Sequence, residues 1–122
     1  MPQIAIELPA NKDAPARARA AVRDLAGDMG QDEIWRTQLI VTELVTNAVL
    51  HGPGGPVELG LEAGGNALRG QVADPCSGIT RTTESRDRGD GGRGLDLVER
   101  LSDGWGMVTG RSRVWFEVAP RA

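Results

Sequence analysis

The chain has 122 residues, enough for one domain that buries a single core without staples. Its 14 basic and 17 acidic residues leave a net charge of −3, which gives no electrostatic footprint for nucleic acid. One cysteine and one histidine exclude an intramolecular disulfide and a Cys/His zinc site. No apolar run is long enough to span a membrane. The start, Met1-Pro2-Gln3-Ile4, carries neither the basic nor the apolar segment of a secretory signal. The expectation is a cytoplasmic protein with residues 1–122 as one domain.

Gln3 to Leu8 alternates and predicts a strand. Asp13 is a candidate N-cap, with Pro15 in the first helical turn. Ala18, Val22, Leu25 and Met29 then mark a first helix, closed near Gly30. A second helix is expected from about Asp32 to Leu50, ending at His51-Gly52-Pro53-Gly54-Gly55. Ile34, Val41, Val45 and Ala48 form an apolar stripe on it, which predicts its core side.

Glu43 and Asn47 stand four residues apart on this second helix, so they share a face away from that stripe. Leu39, Ile40 and Leu50 frame them, as at the edge of a pocket. A glutamate there can act as a general base, and an asparagine oxygen can meet a hard cation such as Mg²⁺. Taken alone, the pair equally suits two polar residues on an amphipathic helix.

Val57, Leu59 and Leu61 alternate as a strand, Gly64-Gly65-Asn66 signals a hairpin, and Leu68, Gly70 and Val72 continue the next strand to Asp74-Pro75. Asp74, at the strand's end, can accept a hydrogen bond from an exocyclic amine, and Gly78 permits a ligand's close approach. By itself the Asp74-Pro-Cys-Ser-Gly78 stretch also reads as an ordinary Asx-type turn. Residues 79–91 carry almost nothing apolar and predict a mobile loop, of a length that is usually functional.

Gly91-Gly92-Arg93-Gly94 opens a third helix marked by Leu95, Leu97, Val98 and Leu101. Free N–H groups at such a start can hold phosphate, though glycine-rich loops are also common without a ligand. Trp105 to Val108 and Val114 to Val118 predict two last strands around a Gly110 turn. Helices grouped apart from consecutive antiparallel strands argue for a two-layer α/β sandwich, not a doubly wound parallel sheet.

In order and spacing, the Glu43-x-x-x-Asn47 helix, the Asp74-x-x-x-Gly78 turn, the polar loop and the Gly92-Arg93-Gly94-Leu95 helix start resemble the gyrase/histidine-kinase/MutL ATP-binding superfamily. Glu43-Leu-Val-Thr-Asn-Ala-Val-Leu-His51, with Gly91-Gly-Arg-Gly-Leu-Asp-Leu-Val98 and the closing Val114-Trp-Phe-Glu-Val118, is similar to its small stand-alone branch. That branch contains the anti-sigma-factor serine kinases and short actinobacterial regulatory proteins.

The resemblance implies a mixed, mainly antiparallel sheet with about three helices on one face. It implies ATP and Mg²⁺ as cofactors, and an anti-sigma-factor antagonist or a sigma factor as partner, with a homodimer left open. Glu43 would be the general base, Asn47 the Mg²⁺ ligand and Asp74 the reader of the adenine amino group, with Gly78 lining the purine. Gly92, Arg93, Gly94 and Leu95 would meet the phosphates under a lid at 79–91. His51 lies near the end of the site helix, where the helix dipole alone would favour it.

Two departures from the family pattern stand out. Cys76 replaces a glycine usual after the aspartate, and Gly110-Arg111-Ser112-Arg113 lacks the threonine often placed before the last strand. A non-catalytic regulator that binds a partner is therefore the rival reading. Half of a sensor histidine kinase is weaker, because the only histidine lies within the ATP motif itself.

Overall fold

In the computed structural model the chain runs β1 (Gln3–Leu8), α1 (Ala14–Leu25), α2 (Gln31–His51), β2 (Val57–Gly64), β3 (Ala67–Ala73), α3 (Gly92–Leu101), β4 (Gly104–Val108) and β5 (Arg113–Val118). The structure describes residues 3–27, 29–52, 54–74, 92–108 and 113–121, with the backbone alone at 92–94. The expected lid at 79–91, Gly78, Cys76 and Arg111 lie outside the described residues.

The five strands form one sheet in the order β1-β2-β3-β5-β4, and all four pairings are antiparallel. The two-layer sandwich expected from the element order is present. Gly64 pairs with Ala67 and leaves a two-residue loop, in which Gly65 adopts φ +61°. Glycine at the first loop position is what a type II′ turn requires, and its twist matches the strands it joins.

Alternation puts every second strand residue on the helix-covered face. Leu8, Val57, Leu59, Leu61, Leu68, Val72, Phe116 and Val118 are buried there with Val22, Ile40, Val41, Val45 and Val98 from the helices. Gly70 makes room for the largest of them. A Cβ on Gly70 would run into the Phe116 ring and approach Leu61. Full burial of such a ring is worth roughly 1.5–3 kcal/mol.

α1 buries Ala14, Ala18, Ala21 and Val22 and packs on α2, β1 and β2. Across the contact with α2, Arg19 donates to the Thr42 hydroxyl at 3.1 Å and Gln38 donates to the Arg19 carbonyl at 3.1 Å. Asp13 does occupy the N-cap position, but its side chain makes no capping bond. Its backbone N–H instead donates to Asn11 Oδ1 at 2.9 Å. Met29 lies beyond the end of α1, partly buried against the core.

The core side of α2 differs from the expected stripe. Glu33, Arg36, Thr37, Ile40, Val41, Leu44 and Val45 are buried, while Ile34 and Ala48 are only partly so. The helix is turned toward Ile40 and Leu44 because it is flanked on two sides, by α1 and by α3. No helix among the described residues is long and apolar enough to cross a membrane.

Candidate functional site

The site helix is fixed by one buried cation. Arg36 is 1% exposed. Its Nε donates to Asp32 at 2.8 Å, and its Nη1 donates to the Leu101 carbonyl at 3.0 Å and to Asp103 at 3.2 Å. Its Nη2 donates to the Ala119 carbonyl at 2.6 Å. One side chain thus ties α2 to the end of α3 and to the chain leaving β5. The sequence reading missed it. The signal on offer was Asp32 four residues before Arg36, but such a pair ordinarily marks an exposed face.

Arg36 also gives the direction of the candidate catalytic face. At about 100° per residue, Glu43 and Asn47 lie within about 20° on either side of it. Both therefore look toward the α3 side of α2 and not into the sheet. Both are half-buried. Leu39 is half-buried and Leu50 is 68% exposed, whereas Ile40 is fully buried in the core. The aliphatic frame around the pair is accordingly one-sided.

Asp74 follows β3 directly and is only 6% exposed. A Cβ on Gly52 would run into Asp74 Oδ2 and into the Ala48 carbonyl. The carboxylate is therefore packed against the C-terminal end of α2, five residues past Asn47. In the sequence Gly52 marks only a helix stop. Its second role is to leave room for Asp74, which no local pattern reports. The fold thus brings Asn47 and Asp74 to one end of α2, with Glu43 one turn further back. His51 is exposed at that end.

The third element is the start of α3 at Gly92. A helix beginning there leaves its first N–H groups without intrahelical acceptors. Leu95 and Leu97 are half-buried and Val98 is fully buried, which seats the helix. Trp105, the second residue of β4, donates from Nε1 to Glu99 at 2.6 Å and ties β4 back to α3.

Residues 8–116 match the histidine kinase-like ATPase domain family. The chain belongs to this family. Glu43, Asn47, Asp74 and the start of α3 at Gly92 all fall within the matched span. Among solved structures, this ATPase-like chain is similar to "the RsbU and RsbW domains of Rv1364c from Mycobacterium tuberculosis", with a TM-score of 0.71 at 21% identity. The likeness covers 99% of this chain and 32% of that one, so the chain spans about a third of that structure. At such identity the likeness is one of fold. No curated protein matches the chain.

The residues present suit the group that the family name implies. A carboxylate can accept several hydrogen bonds at once, so Asp74 can take one from a ligand's amine beside its present surroundings. Among the described residues no group of three or more His, Cys, Asp or Glu side chains is placed to hold a metal. A Mg²⁺ ion carried by phosphates needs only one or two protein oxygens, and Asn47 has one to offer.

Proposed function

We propose that this ATPase-like domain is an ATP- and Mg²⁺-dependent regulatory serine protein kinase. Its substrate is an anti-sigma-factor antagonist, and a sigma factor is its second partner. The observation that carries the reading is the burial of Asp74 against the end of α2, the helix that presents Glu43 and Asn47 on one face. The motif resemblance to the anti-sigma-factor serine kinases supports the choice of substrate.

Mg-ATP supplies the transferable phosphoryl group and the positive charge that offsets its oxygens. The chain's own contribution is positioning. Asp74 would accept a hydrogen bond from the adenine amino group, with Gly78 beside the ring. Asn47 would give its side-chain oxygen to Mg²⁺. Backbone N–H groups of Gly92, Arg93, Gly94 and Leu95 would face the phosphates, where a helix N-terminus favours negative charge. Glu43, one turn back from Asn47, would orient the incoming serine hydroxyl and take its proton.

Two measurements test this. Calorimetric titration with Mg-ATP should show weaker binding for Asn47→Ala and for Asp74→Ala. The second should lose roughly 1–3 kcal/mol, because the nucleotide's donor is left unpaired. Unchanged affinity in both would mean that the pocket lies elsewhere. Glu43→Ala should keep nucleotide affinity and lose about 10²–10⁴-fold in phosphoryl transfer to the partner's serine. If the wild-type chain binds its partner and transfers no phosphate, the non-catalytic regulator is the correct account.

A further inference from the structure

β1 lies at one end of the sheet, and among the described residues no strand pairs with its outer edge. The hairpin decides which of its backbone groups face outward. A two-residue loop closes on a hydrogen-bonded pair, here Gly64 and Ala67. Alternate residues of β2 then bond in opposite directions, so Leu61 and Leu59 bond toward β1, to Ile4 and Ile6. Gln3, Ala5 and Glu7 are left with both N–H and C=O on the open side. The strand has none of the usual protections of an edge: no proline, no lysine and no bulge.

This edge is its own complement. Gln3-Ile4-Ala5-Ile6-Glu7 is a palindrome about Ala5, with an amide at one end and a carboxylate at the other. A second copy laid antiparallel about Ala5 sets Ala5 against Ala5, Ile4 against Ile6 and Gln3 against Glu7, and no like charges meet. Ile4 and Ile6 are only partly buried in the single chain. The flank of α1 has the same symmetry. Arg17, Ala20, Ala21 and Asp24 follow the i, i+3, i+4, i+7 pattern of one face. At about 100° per residue, Arg17 and Asp24 lie about 140–160° round the helix from Arg19, which reaches α2. Both are exposed, and they stand about 10 Å apart along the axis. Neither has a salt-bridge partner among the described residues. An antiparallel copy of the helix sets Arg17 against Asp24 twice, with the alanines between.

We propose that two copies of this chain pair through β1 and α1 about one two-fold axis at Ala5, which joins their five-stranded sheets edge to edge. The spacing closes. Strands in a sheet lie about 4.8 Å apart. α1 packs on β1 and β2 alike, so its axis runs over the gap between them, about 5 Å from the two-fold axis. The two α1 helices then stand about 10 Å apart, an ordinary distance for packed helices. α1 is about 18 Å long and β1 about 20 Å. The short turn at 9–13 folds one back over the other, so the middle of α1 stands over the middle of β1. One axis thus satisfies strand and helix together. A lone strand of another protein would leave the α1 flank uncovered. α2 and α3 take no part in the pairing, so both candidate ATP sites stay open.

The test is sedimentation equilibrium of the nucleotide-free chain from ~1 μM to ~1 mM, because an edge and one helix flank lie near the small end of stable interfaces, about 1,200 Å². The wild-type chain should dimerise. Ala5→Lys should stay monomeric, since each new lysine meets its own copy, and so should Ala5→Glu. An equimolar mixture of the two should regenerate the dimer. Arg17→Asp and Asp24→Arg should each weaken dimerisation about tenfold over the two symmetric contacts, and the double exchange should restore it. All three positions are exposed, so unfolding of the dilute variants should match that of the dilute wild type. Amide hydrogen exchange at Ala5 should slow as the concentration rises, while Ile4 and Ile6 stay protected at every dilution.

A chain that sediments as a monomer throughout overturns the proposal. So does a dimer that Ala5→Lys leaves intact, or one that the mixture of Ala5→Lys and Ala5→Glu fails to restore, for the copies would then meet elsewhere. None of these readouts involves ATP, so a failure here is separate from a failure of the kinase reading.

Discussion

Arg36 is the place where one substitution should be felt across three elements. Arg36→Met keeps most of the apolar stem and deletes the guanidinium. The carbonyls of Leu101 and Ala119 then lose the Arg36 donor, and Asp103 keeps only the Ala119 N–H and Arg121. Asp32 is 58% exposed and can return to water at little cost. Replacing a whole buried ion pair by apolar residues is often neutral, but removing one partner alone typically costs 3–5 kcal/mol. The two carbonyls and Glu33, whose carboxylate is 11% exposed and 4.0 Å from Nη2, put this case in that second class, so we expect about 3–5 kcal/mol. Against a typical total of 5–15 kcal/mol, that is a large share. It corresponds to a fall in Tm of about 10–20 °C for a chain of this size. Urea unfolding gives the free energy and calorimetry the midpoint. Arg36→Lys should recover less than half of the loss, since a point charge cannot serve carbonyls on α3 and on the C-terminal segment together. A loss below about 1 kcal/mol for Arg36→Met would refute the argument. The latch would then be incidental to how α3 sits on α2.

The acid limb of stability should report on Asp103. Burial alone would raise its pKa; the Ala119 N–H and the guanidinium groups of Arg36 and Arg121 reverse this and hold the carboxyl below its ordinary value. A folded value below the unfolded one, about 3.9, contributes stability that is full above the unfolded value. That stability is lost as pH falls through the folded value. Stability measured by urea midpoint from about pH 6 to pH 2 should therefore fall less steeply in Asp103→Asn; an identical slope would show that Asp103 is not part of the acid transition. Gly52→Ala tests the placement of Asp74. The backbone there, φ −82° and ψ 174°, suits any residue, so the only penalty is the new methyl against Asp74 and the Ala48 carbonyl. Such overpacking costs roughly 1–3 kcal/mol, and Mg-ATP affinity should drop with it. Wild-type stability and affinity together would mean that Asp74 does not lie against α2.

Much of the element pattern follows from local chemistry alone. Gln3–Leu8 alternates with period two, Gly65 supplies the positive φ that its turn needs, and Gly52 stops α2 as expected of its position. The spacing of Glu43 and Asn47 is enough to place them on one helical face, because helix periodicity is a property of the backbone. Periodicity could not say which way α2 rolls. The apolar stripe centred on Val41 and Val45 is real, but packing against both α1 and α3 buries Ile40, Leu44 and even Arg36. Arg36 enters the core because four acceptors converge on it, and three of them lie 65 or more residues away. The Asp74 stretch by itself reads both as an amine acceptor and as an Asx-type turn, because nothing local tells a solvated turn from one packed on a helix end. Register is likewise decided by the fold: Ala5, Gly60, Gln71, Trp115 and Gly106 share one row only because five strands align them. Period and turn geometry are written in neighbouring residues; burial, latches and register arise from pairings far apart in the chain, which only the folded structure brings together.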